Sequence, residues 1–98
     1  MAKLPPLELL EATHQFPGPY TFKAIGVAEG EFERRVVQAV QEAVREVLGT
    51  AQNPRHFSRS TSGGKHIAVT LEINVLNAAQ VHAIYDRLLT VEGLLVLL

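Results

Sequence analysis

One segment of the chain, Lys65 to Leu76, constrains the fold more than any other. Between positions 67 and 75 its apolar residues alternate with small or polar residues. A period of two is typical of a β-strand with one buried face and one open face. Segments with helical periodicity precede and follow it along the chain. The sequence therefore predicts a small α+β domain with a one-sided antiparallel sheet.

The rest of the chain supplies three further strands and two helices. Strands are predicted at residues 20–27, 54–60 and 94–98, and helices at residues 31–48 and from Asn77 to about residue 90. The order strand, helix, strand, strand, helix, strand is that of the ferredoxin-like fold. Both helices then cover one face of a four-stranded sheet. The open face is expected to carry these polar side chains: Lys23, Thr70, Glu72 and Asn74.

The chain is predicted to form one domain with an N-terminal extension. Residues 1–15 form the extension, with a short helix at residues 7–12 that docks through Leu7, Leu10 and Leu9, and residues 16–98 form the domain. Gly49 and Asn77 have the residue types that end and begin helices, and Gln80 stands three residues after Asn77. Gly26, in the first strand, indicates a bulge or a close backbone approach.

Composition excludes several function classes. The 98 residues contain no cysteine, which rules out disulfides, thiol catalysis and cysteine-ligated zinc. The net charge of −1 provides no long-range attraction to nucleic acid or to an anionic membrane. The N-terminus lacks the apolar run of a signal peptide, and no apolar run could span a bilayer. We expect a cytoplasmic protein with neither a nucleic-acid nor a membrane partner.

Two stretches of the sequence resemble the YbeD-like family of small bacterial proteins, a domain of unknown function. Residues 16–26, FPGPYTFKAIG, are similar to the run that leads into the family's first strand. Residues 62–75, SGGKHIAVTLEINV, are similar to its hairpin and third strand. The chain differs at His66, where the family usually has an aromatic residue. The resemblance implies an ACT-like βαββαβ fold, similar to regulatory domains that bind amino acids in metabolic enzymes.

The turn between the first strand and the first long helix is one candidate site. Its glycines could present backbone N–H groups to a ligand, and its glutamates could hold an amino group. The candidate ligand-binding residues are Gly26, Glu29 and Gly30. The alternative is that the glycines serve turn geometry alone.

A basic cluster near the predicted hairpin is the second candidate site. Cations and hydroxyl groups there could contact an anionic ligand or an acidic partner. The alternative is a solvated hairpin whose charges protect an edge strand. The candidate contact residues are Lys23, Arg55, Arg59, Ser62, Lys65 and His66.

The sequence gives little support for catalysis or for metal binding. The four histidines do not fall at ligand spacings, so neither a metal nor a cofactor is expected. Gly30, Phe32 and Arg34 match the phosphate-binding pattern of acylphosphatases poorly in spacing, which makes a hydrolase the third choice. We expect instead a regulatory domain that binds an amino-acid-like metabolite or a partner protein. The alternative is a protein-interaction adaptor that uses the open sheet face or the basic hairpin.

The C-terminal strand, Leu94 to Leu98, is apolar on both faces. A one-sided sheet does not require that pattern. Either the N-terminal segment covers the second face or the strand contributes to a homodimer contact.

Overall fold

The computed structural model describes residues 4–28, 31–61 and 63–98. After a short N-terminal helix, the predicted order of strands and helices is present in full. The elements are α1 Leu7–Thr13, β1 Gly18–Val27, α2 Phe32–Leu48, β2 Arg55–Ser60, β3 His66–Val75, α3 Ala78–Leu88 and β4 Leu94–Leu97.

The four strands form one antiparallel sheet in the order β2-β3-β1-β4. The central pair, β1 and β3, is in register over ten residues, from Gly18 opposite Val75 to Val27 opposite His66. Strand β2 extends the sheet on the β3 side, and β4 extends it on the β1 side. This topology confirms the predicted ferredoxin-like fold class.

The core lies between one face of this sheet and helices α2 and α3. The alternating residues of β3 behave as predicted: Val69, Leu71, Ile73 and Val75 are each at most 1 % exposed. Helix α2 contributes one apolar stripe and α3 another, so that the sheet has helices on one side only. The helical residues buried in this core are Phe32, Val36, Val40, Ala43, Val44, Ala78, Val81, Ile84, Tyr85 and Leu88.

Helix α2 ends and helix α3 begins where the sequence predicts. Gly49 follows α2 in the left-handed conformation, with φ 77°, and its N–H donates to the Arg45 carbonyl. At the start of α3, the Asn77 side chain accepts a hydrogen bond from the Gln80 N–H at 2.9 Å. The Gln80 side chain in turn accepts from the Leu76 N–H at 2.7 Å, one residue before the position a capping box uses.

Helix α1 packs against α3 and docks through Leu10, which is buried. The prediction that Leu7 and Leu9 also dock is wrong, because they are 42 % and 52 % exposed. Helix α1 is only seven residues long and presents one side to α3, and Leu10 is its buried residue. Nearby, the His82 ring contacts the Pro5 carbonyl and ties the N-terminal segment to α3.

A hydrogen bond inside the core joins β1 to α3. The hydroxyl groups of Tyr20 and Tyr85 lie 3.0 Å apart, and the Tyr85 ring meets Phe22 edge to face at 5.0 Å between centroids. Burial raises the pKa of the Tyr85 hydroxyl well above its ordinary value, and the hydrogen bond with Tyr20 adds to the effect. The neutral phenol is thus favoured in the folded state.

We expect Ile73→Asp to unfold the domain. The substitution places a carboxylate at a site only 1 % exposed, with a cost of at least about 3 kcal/mol. Asn74→Asp is the matched control, since Asn74 is adjacent on β3 but exposed. Thermal melts followed by circular dichroism test this. A wild-type melting temperature for Ile73→Asp would contradict the assignment of the buried face.

We expect the free energy of unfolding to fall as pH rises above about 10, and part of that fall to disappear in Tyr85→Phe. Above that pH the unfolded chain releases the Tyr85 proton while the folded chain retains it, so alkali favours unfolding. All other ionisable residues are identical in the two proteins. Urea denaturation between pH 8 and 11 measures the difference. Parallel pH profiles for the two proteins would show that Tyr85 titrates normally when folded.

Candidate functional site on the open face of the sheet

The sheet face that carries no helices is built by the pairing register. Residues directly opposite one another in antiparallel strands project on the same side. Three rows of side chains therefore cross β2, β3 and β1 on the open face. The rows are Arg55–Glu72–Thr21, Phe57–Thr70–Lys23 and Arg59–Ala68–Ile25.

Three cations predicted as contact residues share this face. Arg55 and Arg59 lie four residues apart on β2, about 13 Å along an extended strand. Lys23 lies on β1, two strands from β2, and the backbones of these strands are about 10 Å apart across the sheet. The register thus brings together residues that the sequence placed in separate segments. We call the surface formed by Lys23, Arg55, Phe57 and Arg59 the basic sheet face.

Phe57 stands at the centre of the basic sheet face and is 64 % exposed. A depression of about 280 Å³ lies on its Arg55 side, and another of about 380 Å³ lies on its Arg59 side. Thr21 and Thr70 contribute to the lining of both. The ring therefore projects between two hollows, and each hollow is lined in part by an arginine.

Glu33 of helix α2 contacts the other side of β2. The Ser58 hydroxyl donates to one Glu33 carboxylate oxygen at 3.0 Å, and the His56 Nδ1 atom lies 3.4 Å from the other. Positions 56 and 58 thus face α2, while positions 55, 57 and 59 face the open side. Sequence reasoning placed Glu33 at the N-terminal end of this helix but missed its contacts with β2, and it missed Phe57, which the period of two in β2 could have indicated.

Residues at the β2–β3 hairpin lie at one end of the same face. His66 alternates with Ala68 and Thr70 along β3, so it continues the open side of that strand. Lys65 precedes it, and the Lys65 carbonyl accepts from the Ala28 N–H at 3.1 Å. The predicted contact residue Ser62 lies outside the described residues.

The turn after β1, the other predicted site, is closely packed where it is described. Gly26 is buried at a bulge in the pairing with β4, and a Cβ there would lie 2.3 Å from the Phe32 ring and 2.7 Å from the Gly93 carbonyl oxygen. This confirms the predicted close approach. The next two backbone N–H groups donate within the protein, Val27 to Gly93 and Ala28 to Lys65. Glu29 and Gly30 lie outside the described residues, so ligand binding at this turn stays a prediction.

In the part of the chain that the structure describes, neither a metal-binding cluster nor a membrane-spanning helix is found. Residues 4–28, 31–61 and 63–98 contain no group of three acidic, histidine or cysteine side chains that could hold a metal ion. None of the helices in these ranges has the length and apolar character needed to cross a membrane.

The fold is similar to that of a solved bacterial domain. The ACT domain from the GTP pyrophosphokinase of Chlorobium tepidum superposes with a TM-score of 0.52, covering 82 % of this chain and 94 % of that domain. The sequence identity is 12 %, so the likeness concerns the fold alone. It agrees with the ACT-like fold that the sequence resemblance implied.

Family membership rests on sequence. A UPF0250 protein from Shewanella piezotolerans is 32 % identical over 82 residues, which cover 81 % of this chain and 83 % of that protein. A UPF0250 protein from Erwinia tasmaniensis is 31 % identical over 88 residues, covering 87 % and 86 % respectively. The family model described as "Protein of unknown function (DUF493)" matches residues 11–98. The chain therefore belongs to the DUF493 family, the group of UPF0250 proteins to which its YbeD-like segments pointed.

Proposed function

We propose that this chain is a small regulatory binding domain without catalytic activity of its own, and that it acts through the basic sheet face. The observation that carries the proposal is Phe57, an exposed aromatic ring between two arginines on a face without helices. Aromatic and arginine side chains are the residues that contribute most to binding energy at protein interfaces.

The exposure of Phe57 supports a binding role on energetic grounds. Burying a phenylalanine side chain in an interface stabilises a complex by about 1.5–3 kcal/mol. Most of the Phe57 side chain is still in water in the isolated domain, so most of this stabilisation remains available to a complex. The core does not need this ring, because β2 contributes no buried side chain. An interface can use it at little entropic cost, since Glu33 already holds the strand in place through Ser58 and His56.

The fold also supports a regulatory role. In the Chlorobium tepidum protein the similar domain is one part of a GTP pyrophosphokinase. That arrangement is a fold-level analogy for a protein that acts on others by binding them. The side chains of the basic sheet face, which are cationic, hydroxylated and aromatic, are suited to recognising anionic and apolar groups.

A metabolite bound at the β1–α2 turn is the competing function. That site would need backbone N–H groups free to meet a ligand. The two described donors, at Val27 and Ala28, are engaged, and Gly26 is packed against Phe32. This packing favours the sheet face as the contact surface.

The test is amide chemical-shift mapping with isotope-labelled protein. The protein is mixed with the small-molecule fraction of a bacterial extract and, separately, with its macromolecular fraction. We expect the macromolecular fraction to shift or broaden amides of residues 21–25, 55–59 and 68–72. Arg55→Ala should weaken the effect, whereas Arg45→Ala, an exposed change on α2, should not.

Two results would contradict the proposal. Shifts confined to residues 26–32 with the small-molecule fraction would favour the metabolite site. A spectrum unchanged by both fractions would remove the binding role of this face.

A further inference from the structure

We infer that the basic sheet face recognises an acidic protein segment that also carries apolar side chains. The inference rests on the proposed function and specifies the partner. Four features of the surface lead to it: the distribution of charge, the spacing of the cations, the apolar border along β4 and the effect of like charge on self-association.

Charge is segregated between the two sides of the domain. The sheet face and its hairpin carry four cations and one carboxylate, Glu72. In the described part of the chain, the helices and their flanking turns carry eight carboxylates and four arginines. A chain with a net charge of only −1 therefore presents one cationic surface and one anionic surface. The cationic surface attracts an anionic partner and orients it during approach.

The spacing of the cations favours an extended partner over a small anion. Arg55, Lys23 and Arg59 are separated by about 10–13 Å, given the rise per residue and the strand separation. A carboxylate or phosphate oxygen must approach within about 3 Å of a donor nitrogen to form a hydrogen bond. When the three side chains stand perpendicular to the sheet, their charged groups keep these backbone separations and one small anion contacts only one of them. A polypeptide with several carboxylates can meet all three.

Apolar side chains continue the basic sheet face on its β4 side. Val96 lies opposite Ile25, and the Leu98 backbone pairs with Lys23 through hydrogen bonds of 2.8 and 3.1 Å. Val96 and Leu98 remain 42 % and 61 % exposed. Apolar side chains of a bound protein would cover them, whereas a nucleic-acid backbone would leave them in water. The apolar border therefore favours protein over nucleic acid.

The same charges disfavour a second copy of this chain as the occupant. Two basic sheet faces placed against each other would bring like charges together without compensation. The helical side of a second copy is acidic and also exposes Leu7, Leu9 and Leu89, so self-association is one of the outcomes that the test measures.

The test is a binding titration with defined probes. The labelled full-length protein is titrated with a glutamate-rich copolymer that contains tyrosine. Comparison probes are poly-glutamate, a single-stranded oligonucleotide of similar charge and vesicles rich in phosphatidylglycerol. We expect the copolymer to bind about tenfold more tightly than each comparison probe, and its affinity to fall with salt.

Variants locate the interaction. Arg55→Glu with Arg59→Glu should reduce copolymer affinity at least about tenfold, and Phe57→Ala should reduce it about tenfold. The matched control is Arg34→Glu with Arg45→Glu, which makes the same change in net charge on exposed positions of α2. We expect that control to bind within about twofold of wild type. If the first pair fails to fold, Arg55→Gln with Arg59→Gln replaces it.

Several results would overturn the inference. Equal or tighter binding of the oligonucleotide or the vesicles would assign the face to those partners. Equal binding of poly-glutamate would remove the apolar requirement. Absence of copolymer binding, an equal loss in both charge-reversal pairs, or self-association that competes with the copolymer would each reject it. If the copolymer fails while the extract still shifts amides on this face, the proposed function stands and only the acidic partner is rejected.

Discussion

The antiparallel pairing of β1 with β3 is the constraint on which the rest of this domain depends. Ten residues of each strand are in register, so every side chain on the two central strands is assigned to one face. A shift of one residue would expose Val69, Leu71 and Ile73 to solvent. It would also pack the polar residues Thr70 and Glu72 against the helices. The helices hold the register because their apolar stripes fit only one of the two faces. The chemistry of the open face is thus a consequence of the packing on the opposite side.

Much of the fold could be predicted from the sequence, because its signals are local. The alternation in β3 and the apolar stripe of α2 each occur within one continuous segment. Gly49 and the pair Asn77 and Gln80 likewise act on their immediate neighbours. For these elements, the residues that carry the signal and the residues that feel its effect are close in the chain.

The candidate site could be predicted only in part, because its geometry depends on contacts between distant segments. The sequence listed Lys23 with Arg55, Arg59 and Lys65 as contact residues, but it did not show how Lys23 on the first strand lies relative to the arginines. Only the register of three strands shows that Lys23 shares a face with the arginines. The Glu33 contact with Ser58 joins residues 25 positions apart and requires α2 to cross β2. Leu7 failed to dock for a related reason, since the orientation of α1 is set by α3 and not by its own sequence.

The edge position of β2 gives its arginines two roles that can be separated. Cations on an edge strand discourage pairing with other strands, and Arg55 and Arg59 serve that purpose whatever else they do. Protection of the edge strand, however, does not explain why the exposed ring of Phe57 lies between the two arginines. An aromatic residue has high β propensity and would make an unprotected edge more prone to association. Phe57 thus promotes unwanted association when the edge is uncovered, and it stabilises a complex when a partner covers the edge. A partner that covers the face and neutralises the two arginines would explain why an aromatic ring lies between them.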